Sequence, residues 1–431
     1  MAQDRYALLE HPCQISRSTW PKIQKVAHHL RSREAFAKYY SPKMVSLGPI
    51  HHGKPHLQLG EQYKLMWASM HVEANRNKAQ RLHRQIVVNI KDLKDLYTDD
   101  ALRHFNDDEL AWMLFVDGCA LLQILKHPDI LRSEPLQVKI DQLALVRQDA
   151  LLLENQLPFR VLQLLLSDQP DKQLIEDMDC FLLCHHFSPE QKPHKNGAEG
   201  GDDQAKREID VDPTSPNPAH LLDELRIKVL REFSCPPKRT TIQNGQITHR
   251  NLKELKGAGI EVKRSKSKCR IDITFSSHCF SGELKLPDII VDDTSAPTFL
   301  NLMAYEACPD FENNYEISSY VEFLDSLIDH PDDVKELRKA GALHNALGSD
   351  EEVAELFNTI STDVVPNAEI YASLRKEIEK HYRQKYKTWF ALAFNTYFSN
   401  PWSIIAFFAA SVALLLTFIQ TWFAAFPSQN S

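Results

Sequence analysis

The sequence predicts a mainly α protein: a multi-helix soluble domain with a small β-sheet insertion and one C-terminal transmembrane helix. Three observations predict it. Apolar residues recur at three- and four-residue spacing along most of the chain, the period of a helix face. Strict alternation is confined to about 257–293, so only there does the pattern suit strands. From Trp402 to Phe426 no residue is charged, and the run is long enough to cross the hydrocarbon core of a bilayer.

Composition sets the bounds. The 431 residues suffice for two or three ordinary domains, and 43% hydrophobic with 25% charged residues is a globular balance. A formal net charge of -8 argues against a nucleic-acid partner. The eight cysteines (Cys13, Cys119, Cys180, Cys184, Cys235, Cys269, Cys279, Cys308) follow no framework spacing, and the chain has no Asn-x-Ser/Thr acceptor. Both features suit a reducing, unglycosylated compartment.

Residues 1–60 read as an extended loop segment, because Pro42, Gly48, Pro49 and Gly53 interrupt any helix. Met1 to Glu10 lacks the apolar core of a signal peptide. A helical N-terminal half follows over 61–187. Ala79, Leu82, Ile86, Ile90, Leu93 and Tyr97 draw one stripe, and Asn106 with Glu109 forms a cap ahead of a central helix to Leu125. A long helix from about Val138 to Leu166 is expected to bend or break near Pro158. Residues 188–218, rich in Pro, Gly and charge, read as a disordered linker. The C-terminal half, 219–398, is helical around the small sheet, with Gly341 closing one helix and Ser349-Asp-Glu-Glu352 opening the next. Thr388 to Phe398 is uncharged and suits either the membrane interface or packing on the body.

The membrane span is placed at 400–426, with a short tail at 427–431. Asn400 supplies an N-cap, Pro401 needs no backbone donor at a helix start, and Ile404 and Leu415 lie within the apolar run closed by Phe426. Trp402 and Trp422 are about 30 Å apart along a helix, one indole for each interface. Arg375, Lys376, Lys380, Arg383, Lys385 and Lys387 precede the span and no base follows it, which predicts a cytosolic body and post-translational insertion.

Several motifs together carry a resemblance. Cys13-x-Ile-x-Arg17, Tyr40-x-Pro-x-x-Val-Ser-Leu-Gly-Pro-x-His-His-Gly53, Asp117-Gly-Cys119, Asp149-x-Leu-Leu-Leu-Glu-Asn-Gln-Leu-Pro-Phe159, His220-Leu-Leu-Asp223, Leu347-Gly-Ser-Asp-x-Glu-Val-Ala-x-Leu-Phe-Asn358 and Asn400-Pro-Trp402 resemble the plant family called domain of unknown function 247. The match runs in order from about residue 11 to 425. Departures fall at Ser18-Thr-Trp-Pro21, where the family usually has Val-Pro after its arginine, and at Gly60, where it usually has Met. The resemblance implies a single-span plant membrane protein without established enzymatic activity. Some grass relatives are pollen-side self-incompatibility determinants, which implies a recognition role for such members.

Four groups of residues are candidate sites. Asp117, Asp149, Glu154, Asn155 and Gln156 are polar positions in apolar surroundings, read either as a satisfied network with Arg147 or Arg160 as partner or as an acid and base pair. Lys263, Arg264, Lys266, Lys268 and Arg270 form a basic run, either a solvated turn or a contact for anionic lipid. His51, His52 and His56, and Cys180 with Cys184, His185 and His186, have metal-ligand chemistry, but apolar neighbours and diverging directions make core roles the better reading. No Gly-x-Ser-x-Gly, phosphate loop or dinucleotide turn occurs. The expectation is therefore no catalytic residue, no cofactor and no metal. The expected partners are the bilayer and an unidentified protein, at the plasma membrane or alternatively the endoplasmic reticulum. An enzyme would need Asp117, Asp149 and Glu154 to meet the histidine-rich segment in an open pocket.

Overall fold

The computed structural model describes residues 17, 20–74, 79–131, 133–166, 171–183, 217–230, 250–267, 269–278, 281–362, 365–383 and 401–425. Asn400, Phe426, Lys268, Cys184, His185, His186, most of 188–218 and all of 388–398 lie outside them.

The N-terminal half is built on one helix. Helices α1 (Gln58–Ala74) and α2 (Ala79–Val88) pack against α3 (Asp107–Leu125), which is buried on nearly every side. A helix apolar all round belongs at the centre of a bundle. Its start is a capping box: the Asn106 side chain accepts from the Glu109 N–H at 2.9 Å, and Glu109 accepts from the Asn106 N–H at 3.3 Å. Gly118 lets another helix lie close, since a Cβ there would come within 2.4 Å of Leu165 Cδ1.

The long helix expected over 138–166 is two helices, α4 (Ile140–Asp149) and α5 (Phe159–Leu165). Between them runs an irregular, buried segment, so the break begins about eight residues before Pro158. Glu154, Asn155 and Gln156 therefore sit in a connection rather than on a helix. Their own side chains explain why it is stable. Gln156 Nε2 donates to the Ala150 and Leu152 carbonyls at 2.8 and 2.7 Å, and Asn155 Nδ2 donates to the Asp149 carbonyl at 2.9 Å. Side-chain amides thus replace the partners that a continuing helix would have supplied. After α5 comes α6 (Asp171–Leu183).

The C-terminal half opens with α7 (Leu221–Leu230) and α8 (Leu252–Gly257). Alternation over 257–293 yields four strands: β1 (Ile260–Arg264), β2 (Thr274–Ser277), β3 (Gly282–Leu286) and β4 (Ile289–Val291). β3 is central, parallel to β1 with Val262 opposite Leu284 and antiparallel to β2 with Phe275 opposite Leu284. β4 instead pairs in parallel with β5 (Leu343–Asn345), a strand too short for its alternation to show. Around them lie α9 (Ser295–Glu306), α10 (Glu316–Leu327), α11 (Pro331–Lys339), α12 (Asp350–Ile360) and α13 (Ala372–Tyr382). Gly341, at a φ of 67°, turns the chain out of α11, a conformation that glycine adopts without strain.

The two halves share one hydrophobic core that runs from Ile23 to Ile378. Beyond it, α14 (Pro401–Ala425) is long and apolar enough to cross a membrane, with a mean hydropathy of 1.9 over Ile405–Trp422 and none of that stretch buried. Ser411, Thr417 and Thr421 donate their hydroxyls to carbonyls four residues earlier, at 2.7 to 2.8 Å. These hydroxyls need no water, a requirement in a hydrocarbon environment.

Candidate functional site

Three of the five polar residues singled out in the N-terminal half, Asp117, Asp149 and Asn155, converge on one element, the backbone of residues 43–48. Asp149, at the end of α4, accepts three consecutive N–H groups, from Lys43 at 2.9 Å, Met44 at 2.6 Å and Val45 at 2.9 Å. Asn155 continues the pairing: its Oδ1 accepts the Leu47 N–H at 2.7 Å and its Nδ2 donates to the Val45 carbonyl at 3.1 Å. Asp117 of α3 then takes the Gly48 N–H at 2.9 Å. A strip of backbone that has no strand beside it is satisfied by side chains instead. Two glycines permit the approach. Gly48 has a φ of 76° and lies against the Gln156 carbonyl, while a Cβ on Gly60 would stand 2.0 Å from the Met44 carbonyl oxygen. Gly60 thus marks where α1 touches this strip.

The counter-charges are not the expected ones. Arg147 donates to the Pro128 and Phe181 carbonyls, and Arg160 is exposed. Asp117 is paired with Lys64 at 2.6 Å, and both are 1% exposed. Lys64 also reaches Glu61 at 2.9 Å and the Ser46 carbonyl at 2.8 Å. Burial works against the Lys64 ammonium, yet Asp117 and Glu61 hold its pKa above the ordinary lysine value. Burial pushes the Asp149 carboxyl up to about 6, against the pull of its three backbone donors.

Glu154 clasps the segment further along. Its Oε1 accepts the Val26 N–H at 2.8 Å, and its Oε2 contacts Arg31 and, at 2.9 Å, His51 Nε2. Burial alone would raise the Glu154 pKa, but His51 and Arg31 hold it below the usual range. His51 is held below its ordinary value chiefly by burial. Its Nδ1 lies 2.6 Å from Lys54 Nζ. The three neighbouring histidines therefore serve three directions: His51 to Glu154, His52 toward Glu61 at 3.9 Å, and His56 to the Pro42 carbonyl at 3.3 Å.

Gln156 and Asn301 tie this region to the C-terminal half. Gln156 Oε1 accepts the Leu222 N–H of α7 at 3.0 Å. Asn301 of α9 accepts from Leu153 N–H and donates to the Tyr39 carbonyl, both at 2.8 Å. A second polar knot, which sequence reasoning missed, lies beyond. Glu306 accepts the Ile317 and Ser318 N–H groups at 3.0 and 2.9 Å, capping α10, and Arg226 bridges it to Glu316. At the start of α7, His220 Nδ1 accepts the Asp223 N–H at 3.2 Å, and burial lowers this histidine to about 3.

The basic run is divided. Lys263 pairs with Glu283 and Arg264 with Asp288, whereas Arg270 is buried and donates to the Asp288 carbonyl at 3.3 Å. Lys266 is exposed.

A helical body with a side-chain-clasped N-terminal segment and a separate apolar helix defines the class of protein. The chain belongs to the plant protein family of unknown function designated DUF247, whose family model matches residues 23–416. It is similar to UPF0481 protein At3g47200 of Arabidopsis thaliana, 27% identical over 421 residues that cover 89% of this chain and 82% of the relative. It is also similar to putative UPF0481 protein At3g02645 of the same plant, 25% identical over 476 residues, 90% of this chain and 88% of the relative. No solved structure matches.

Proposed function

We propose that this protein is a single-pass, tail-anchored membrane protein whose helical body faces the cytosol and recognises a protein partner, at the plasma membrane in preference to the endoplasmic reticulum. One observation carries the reading: α14 presents large apolar side chains on all sides, with none of Ile405–Trp422 buried against the body. Exposed apolar surface of that extent needs lipid or protein around it. Arg375, Lys376, Lys380 and Arg383 stand ahead of the span, which favours the cytosolic side for the body. Binding is favoured over catalysis because Asp117, Asp149 and Glu154 are 1 to 2% exposed and their oxygens are engaged by backbone N–H groups and cations. Contact of the basic run with anionic lipid would rest, among its described residues, on Lys266.

Protease treatment of sealed microsomes after post-translational insertion tests the topology. The body is expected to be digested and a small C-terminal fragment protected; a protected body overturns it. Affinity purification of the detergent-extracted full chain tests recognition. A partner retained at fixed stoichiometry is expected, and recovery of the chain alone from its own tissue counts against it.

A further inference from the structure

Lys54 differs from other lysines of this fold in what its amine touches. Lys25, Lys64, Lys94, Lys256 and Lys263 each face a carboxylate. Half-buried Lys54 instead places Nζ 2.6 Å from the Nδ1 of His51, a ring that is 1% exposed. An amine donates in that contact, so Nδ1 carries the lone pair and Nε2 carries the proton, with a Glu154 oxygen 2.9 Å away but out of line for a hydrogen bond. The order carboxylate, imidazole, nucleophile is the arrangement that activates a weak nucleophile, here with an amine at its end. Charge favours the same state. Arg31 already meets the single charge of Glu154, and Lys25 is held by Asp100, so an ammonium on Lys54 would add an excess cation to the group. Burial, Arg31 and Lys25 all draw the Lys54 amine below the ordinary lysine range, and Glu154 opposes them.

We propose that Lys54 is a preferred acylation site of this protein, taking an acyl group from a thioester with His51 as the proton acceptor. The Lys54 nitrogen attacks the thioester carbonyl; an N–C bond forms, the C–S bond breaks and the thiolate leaves. The nitrogen's proton passes to His51 Nδ1 and from there to solvent, while Glu154 holds the opposite side of the ring.

The test treats the detergent-extracted full chain with limiting acetyl coenzyme A and follows acetylation at each lysine by isotope-dilution mass spectrometry as pH is varied. Lys54 is expected to react severalfold faster than exposed Lys266 near neutral pH. His51→Gln should reduce the Lys54 rate severalfold and leave Lys266 unchanged. Equal rates at the two lysines, or a Lys54 rate indifferent to His51→Gln, overturn the proposal. If that variant loses its thermal transition, the wild-type pH profile decides: a Lys54 midpoint below that of Lys266 supports the assignment, and coincident midpoints overturn it.

Discussion

The clasp at residues 43–48 and the helix α14 invert one another. In the clasp, charged and amide groups are buried and each meets a partner within the chain; in α14, apolar side chains are exposed, with none of Ile405–Trp422 buried. Buried polarity is tolerable only with near-complete internal pairing, whereas exposed apolarity is tolerable only with suitable surroundings. The first region is explained by the chain itself. The second points outside it.

The sharpest way to break the comparison is to leave the clasp unpaired. Asp149→Ala strands two buried N–H groups and a part-buried one, for an expected loss of roughly 4 kcal/mol in chemical denaturation. An unchanged midpoint would show that the strip is not held by that carboxylate. Acid comes next. His71 is lowered to about 4 and His220 to about 3, both chiefly by burial, from an ordinary 6.5. Below that value the unfolded chain takes up protons that the folded chain refuses, so stability is complete above it and is lost as pH falls. At pH 5 the expected loss is about 2 kcal/mol per histidine, visible as a falling denaturation midpoint and abolished for one group by His220→Asn. In α14, Leu415→Lys should cost about 3 kcal/mol of insertion and move protein from the membrane pellet to the soluble fraction, with no change in the stability of the body. The smallest effect is expected at the surface: Lys263→Ala, which removes the exposed pair with Glu283, should leave the denaturation midpoint essentially unchanged.

Long periodic stretches were legible in the sequence. The central α3 with its Asn106 cap, the helix at 350–360, the sheet region and the apolar helix all follow from local pattern, because each is defined by the spacing of its own residues. The polar residues of the clasp were legible as residues out of place, but not their partners. Lys64 lies on the stripe of Gly60, Trp67, Ala68 and His71, and a lysine on such a stripe signals a buried counter-ion; matching it to Asp117 needs contact across 53 positions. The break after Asp149 was hidden for a related reason. Leu151 to Leu153 continue a helical pattern, and only the side-chain amides of Asn155 and Gln156, folding back on the backbone, end it. Strand β5 is three residues long, and its pairing with β4 is decided by the fold around it.

The clasp also orders events during synthesis. Residues 43–48 are made early, but Asp149 appears 106 positions after Lys43, and Asn301, which binds the Tyr39 carbonyl, 262 positions after its acceptor. At ribosomal speeds the wait from Tyr39 to Asn301 is roughly 10 to 50 s. Until Asp149 and Asn155 are made, the backbone at Val45 and Leu47 lacks the side chains that later hold it. The part of the chain that looks most tightly held in the finished molecule thus stays unpaired until Asp149, 106 positions after Lys43, has been made, and the nascent protein needs protection there first.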